Sequence, residues 1–187
     1  MSPTLTLKRR VLLIGAVLLV ALFLRGARWL EERQDPLALV PTLDELTYDT
    51  WGQAIARGED AVEVPFTAPL QAYHLAGWHR LFPQNPGRAR DAARLITLLL
   101  GVATVALTFA LGRRASGSFR VGWVAAALVA LHRPLIFFEP TLLRDGPGTF
   151  VTVLAAWLLL RLLDACQDDE RTSTQGALAL ALGLSLG

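Results

Sequence analysis

The chain has 187 residues, of which 53% are hydrophobic and 18% charged, with a mean hydropathy of +0.42. That balance is richer in apolar side chains than soluble domains are and marks an integral membrane protein. The formal charge is +2 and the 18 cations, all arginine except Lys8, are scattered among helix ends and a mixed-charge loop, which excludes the solvated basic face that nucleic acid requires; Cys166 stands alone, which excludes an intramolecular disulfide and a thiolate metal cluster.

Lys8-Arg9-Arg10 precede fourteen apolar residues, 11–24. No small-x-small cleavage site follows, because Leu24-Arg25-Gly26 puts a bulky cation where small side chains are needed, so the segment reads as an uncleaved signal anchor. Arg25 and Arg28 can snorkel, which lets the first span cover about 9–30 and approach the roughly 20 residues a crossing needs.

The polar stretch 31–90 is expected outside the membrane. Within it, Thr42 and Glu45 fit a capping box, which predicts a helix from Thr42 to Arg57 with Gly58 as its stop. Its first turn is acidic: Asp44 and Glu45 lead, and Tyr48, Asp49 and Trp51 follow at helical spacing. A second helix is predicted over 69–82, with Pro69 at its first position and an apolar stripe of Leu70, Tyr73, Gly77 and Leu81. His74, His79 and Arg80 interrupt it, so it reads as a juxtamembrane helix whose aromatic rings anchor at the headgroups while Arg80 meets phosphate. His74 and His79 are five apart and do not make a metal pair; they read as solvated or headgroup residues.

Further spans are predicted near 91–112, 119–133 and 148–163, with a truncated fifth at 176–187. Gly101 and Gly112 read as sites of close helix packing. The short connector with Arg113, Arg114 and Arg120 is expected in the cytoplasm, which places the N-terminus there and the loops 31–90 and 132–148 outside. The second outer loop holds Glu139, Arg144 and Asp145 beside apolar positions and prolines, and charges at such a depth are costly and often functional. The expected fold is therefore an all-α, polytopic integral membrane protein of about four complete spans plus part of a fifth, and the whole of 1–187 is read as the N-terminal part of one transmembrane domain.

The series "LDELTYDTWGQAIARGE", "PFTAPLQAYHLAGWHRLF", "ARLITLLLGVATVALTFALGRRASG" and "LIFFEPTLLRD" resembles, in order and spacing, the N-terminal portion of the GT-C membrane glycosyltransferases, in the branch of protein O-mannosyltransferases and bacterial aminoarabinose transferases. The resemblance runs from residue 8 to 163. It implies transfer of a sugar from a polyprenyl-phosphate-linked donor to a glycan, lipid or protein acceptor at the outer face of a bacterial inner membrane. Asp44 matches the first-loop acid, a candidate general base or acceptor-orienting group, and Glu45 completes the Asp-Glu dipeptide; both are assigned to catalysis. A carboxylate that takes the acceptor's proton lets it attack the anomeric carbon while a lipid phosphate departs, and a neighbouring cation stabilises that phosphate.

Tyr48, Arg80, Glu139, Arg144 and Asp145 are assigned to substrate binding, with Arg88 and Arg90 as further candidate cations. Ala68 stands where related transferases often carry a lysine before Pro-Leu. Paired outer-loop acids are of the kind that hold a divalent metal, though no metal ligand and no cofactor is assigned. The competing reading, from another class, is a non-catalytic membrane scaffold or transporter-like fragment in which the acids only cap helices.

Overall fold

The computed structural model describes residues 6–35, 40–59, 69–167 and 181. All its regular structure is helical, with no strand among the described residues: α1 (Leu7–Gln34), α2 (Leu43–Arg57), α3 (Pro69–Leu81), α4 (Pro86–Ser116), α5 (Phe119–Ala130), α6 (Arg133–Phe138) and α7 (Asp145–Gln167). The all-α, membrane-spanning class read from the sequence is what the chain adopts. α1, α4 and α7 are long and apolar enough to cross a bilayer, and α5 is a shorter apolar helix. Their most apolar stretches are only 17%, 28% and 11% buried by protein. So much uncovered apolar side chain is stable in lipid and unstable in water.

The helices overrun the apolar stretches that mark them. α4 begins at Pro86, where proline costs no hydrogen bond and Asn85 Oδ1 accepts from the Arg88 N–H at 3.0 Å. It runs to Ser116 because hydropathy marks the bilayer and not the helix ends. α5, by contrast, stops at Ala130, and α6 occupies part of the expected second outer loop with Pro134 in its first turn, where the missing N–H is tolerated. The fifth span expected at 176–187 lies outside the described residues, save Ala181.

Two compact units emerge. The first joins 1–22, 102–132 and 148–187. Its core is Val17, Ala21, Val105, Ala126 and Ala130, flanked by Leu18, Phe109, Trp123 and Val129. α4 and α5 meet at bare backbone: a Cβ on Gly122 would stand 2.7 Å from the Phe109 carbonyl oxygen and 2.9 Å from the Arg113 nitrogen, and one on Gly112 would stand 3.1 Å from Gly122 Cα. Trp123 Nε1 donates to the Leu13 carbonyl at 3.2 Å, and the Arg10 guanidinium lies 5.6 Å from the Phe119 ring centre. The N-terminus of α1 and the basic start of α5 therefore share one end of this unit.

The second unit joins 23–101 and 133–147. It holds α2, α3, α6, the last turns of α1 and the first half of α4. α2 and α3 pack closely because Gly52 leaves no side chain between them; a Cβ there would stand 2.8 Å from Leu75 Cβ. The stripe Leu70, Tyr73, Gly77 and Leu81 faces outward, and the opposite face of α3 (Gln71, Ala72, Leu75, Ala76, His79) is buried. An outward apolar stripe with Tyr73 60% exposed suits a helix lying at headgroup level.

Candidate active site

α2 carries Asp44, Glu45 and Asp49. It ends where expected, with Gly58 at φ 76° and its N–H returned to the Ala54 and Ile55 carbonyls. It starts at Leu43 after the extended Thr42, but the capping box does not form: Thr42 makes no side-chain cap, and Glu45 Oε1 instead accepts the backbone N–H of Leu142 at 3.1 Å. Leu43 sits at φ 49°, a left-handed conformation that costs leucine about 1–2 kcal/mol. Strained backbone of this kind gathers at functional sites, and here it directly precedes Asp44.

The three acids of this helix have different surroundings. Asp44 is exposed, Glu45 is half-buried, and Asp49 is completely buried. Asp49 Oδ1 lies 2.9 Å from His79 Nε2, which carries its proton toward the carboxylate. Its Oδ2 accepts from Arg90 Nε at 3.1 Å, Arg90 Nη2 at 2.7 Å and Gln53 Nε2 at 2.7 Å. Burial alone would raise this carboxyl, but the His79 and Arg90 hydrogen bonds and charges outweigh it and hold Asp49 down at about 2. The network ties α2 to the end of α3 and the start of α4. The sequence shows Asp49 as part of the acidic cluster; its partners, 30 and 41 residues away, leave no local signal beyond the Asp49–Gln53 spacing. His79 is thus a buried partner of a carboxylate and not a solvated residue, because the packed face of α3 carries it inward. His74 accepts from Trp78 Nε1 at 3.1 Å, and burial lowers its basicity.

A second buried charge pair holds the segment between α6 and α7. Glu139 meets the Arg25 guanidinium in a two-pronged contact, Nε to Oε2 at 2.6 Å and Nη2 to Oε1 at 3.1 Å, with both residues almost fully buried. Burial pushes the Glu139 carboxyl up, against the downward pull of Arg25. Gly101 makes room for the pair, since a Cβ there would overlap the Glu139 carboxylate. Nearby, Arg28 binds Glu32 and lies 4.8 Å from the Phe137 ring centre.

The remaining candidates fall as follows. Tyr48 is 3% exposed and packs with Leu75, Ala93 and Leu142. Arg80 is exposed at the mouth of a cleft of about 270 Å³ shared with Gln53, Arg57 and His79, and its Nη2 donates to the Ile55 carbonyl at 3.1 Å. Arg144 and Asp145 are exposed where α7 begins. Arg88 is exposed and Arg90 is engaged by Asp49. No three His, Cys, Asp or Glu side chains among the described residues converge as a metal site: Glu139 is engaged by Arg25.

The chain thus combines helices long and apolar enough to cross a bilayer with a shorter acidic helix, α2, that the segment between α6 and α7 touches. The family model for dolichyl-phosphate-mannose-protein mannosyltransferases matches residues 77–187, more than half of the chain. The chain belongs to that family. Membership makes it, at the coarse level, a membrane protein of a glycosyltransferase family whose donor is a lipid-linked sugar, in line with the resemblance drawn from its motifs. The match covers α4 to α7 and begins within α3, so Asp44 and Glu45 lie before it. No curated protein and no solved structure matches the chain.

Proposed function

We propose that this mannosyltransferase-family chain supplies the acidic part of a GT-C type active site, which transfers a sugar from a polyprenyl-phosphate donor to an acceptor at the outer face of a bacterial inner membrane, with the N-terminus in the cytoplasm. The supporting observation is the division of labour among the acids of α2: Asp49 is engaged from both sides and Glu45 is bound to Leu142, whereas Asp44 is exposed on the first turn.

Asp44 takes the proton of the acceptor hydroxyl or amine as its oxygen or nitrogen bonds to the anomeric carbon. The bond from that carbon to the donor phosphate oxygen breaks, and polyprenyl phosphate leaves with the electron pair. Arg144, exposed in the second outer segment, and Arg80, exposed on α3, are the cations offered to that phosphate, and Asp145 lies beside Arg144 to orient polar groups of the substrate. Tyr48 and Glu139 support the site from within: one packs beneath α2 and the other secures the outer segment to Arg25. The gathering of Lys8, Arg9 and Arg10 at the same end as Arg113, Arg114 and Arg120 supports the proposed orientation.

The test is a transfer assay on the complete reading frame in membranes with radiolabelled polyprenyl-linked sugars. Asp44→Asn should reduce transfer by about a hundredfold or more while expression and insertion stay intact. Full activity in that variant would remove Asp44 from the chemistry and favour the scaffold reading.

A further inference from the structure

The backbone of Leu142 is held by side chains on both of its polar groups. Its N–H donates to Glu45 Oε1 at 3.1 Å, and its carbonyl accepts from Gln71 Nε2 at 2.9 Å, so α2 and α3 each reach it. The Leu142 side chain is 1% exposed and sits among Tyr48, Leu75 and Ala93. This residue lies in the non-helical stretch between α6 and α7, where the Glu139 and Thr141 N–H groups return to the Leu135 and Phe138 carbonyls of α6, whereas the polar groups of Leu142 meet side chains of α2 and α3. Three residues upstream, Glu139 fixes the same stretch to Arg25. Two residues downstream comes Arg144.

We propose that Glu45 is a positioning residue: through the Leu142 N–H it fixes the 139–146 segment, and with it Arg144, against the Asp44 end of α2. This rests on the function proposed above, and it assigns the two adjacent acids different tasks, Asp44 to the acceptor's proton and Glu45 to the placement of the cation that meets the departing lipid phosphate. The Leu142 N–H needs an acceptor oxygen and not a negative charge. Glutamine has the same reach and keeps such an oxygen, so Glu45 tolerates loss of its charge where Asp44 does not.

The experiment uses the full-length enzyme in lipid nanodiscs with radiolabelled polyprenyl-phosphate mannose as donor, and compares wild type with Glu45→Gln, Glu45→Ala and Asp44→Asn. Two quantities are read: deuterium uptake of the peptide covering 139–146, and kcat with KM for the donor. Glu45→Ala should raise uptake and reduce kcat/KM by about tenfold to a hundredfold, as expected when a binding group is displaced by about an ångström. Glu45→Gln should keep uptake near wild type and lose no more than about threefold in kcat/KM, the cost of weakening one charge-assisted hydrogen bond. Asp44→Asn should leave uptake unchanged and nearly abolish kcat. A Glu45→Gln variant as inactive as Asp44→Asn, or a Glu45→Ala variant whose uptake matches wild type, would overturn the assignment. A wild type that transfers nothing from this donor would remove mannose as the sugar transferred, while the uptake contrast between the two Glu45 variants would still decide the anchor.

Discussion

The two compact units are held together by opposite means. In the first, helices meet through small and apolar residues, with Gly112 and Gly122 letting backbones touch and the charges of Arg114 and Asp164 paired at an exposed end. In the second, buried carboxylates that each face a guanidinium do the joining: Asp49, with Arg90 and His79, ties α2 to α4 and α3, and Glu139, with Arg25, ties the segment between α6 and α7 to α1. Apolar contacts degrade gradually when trimmed. A buried ion pair fails as a whole, because removing one partner strands the other charge in a poorly solvated place. The contrast teaches that the unit with the candidate chemistry is also the one with the less forgiving interior.

The sharpest way to break this comparison is at Arg25. Arg25→Met leaves Glu139 buried and alone, and should destabilise the protein by about 3–5 kcal/mol, measured by thermal unfolding in detergent. Arg25→Met combined with Glu139→Leu should recover most of that loss, because neither charge then remains; a double variant no better than the single would show that the pair is not the unit of stability.

Asp49→Asn should cost about 1.5–3 kcal/mol at neutral pH through its weakened hydrogen bonds to His79 and Arg90. Its pH dependence has a definite sign. The folded carboxyl sits at about 2 against an ordinary 3.8, so its contribution is fully present above the ordinary value and is lost as pH falls through 3.8 toward 2. Melting curves of wild type and Asp49→Asn should therefore converge over that acidic window, and a gap that stayed constant there would contradict the ion-pair account.

In the first unit, Gly122→Ala drives a methyl group into backbone that cannot yield, and should cost about 1–3 kcal/mol by the same melt. The smallest effect is expected at Leu43. Leu43→Gly relieves the left-handed strain, and a gain of up to about 1 kcal/mol should appear as a modestly higher melting temperature.

How much of this was legible in the sequence depended on range. The end of α2 at Gly58 and the start of α3 at Pro69 are written within a few residues of themselves, and so is the lipid-crossing character of α1, α4 and α7, although the start of α4 at Pro86 lies before the 91–112 span that hydropathy marks. The capping box at Thr42 failed although its local pattern was right, because Glu45 found a distant backbone donor in Leu142. The stripe on α3 named the outward face, since the buried face is Gln71, Ala72, Leu75, Ala76 and His79, with Leu75 set against Gly52 of α2. The partners of Asp49 and Glu139 lie 30 to 114 residues away, and no periodicity encodes such pairings. At the candidate site, the acidic dipeptide could be read; which of its acids stays exposed could not, because that follows from tertiary contacts.

The Arg25–Glu139 pair also bears on biogenesis. Its members are 114 positions apart, so the ribosome exposes the arginine long before it makes the glutamate. At about 5–20 residues per second, that interval is roughly six to twenty-three seconds. For that time the nascent first helix carries Arg25 without Glu139, and the long side chain can reach toward the interface until the later segment emerges.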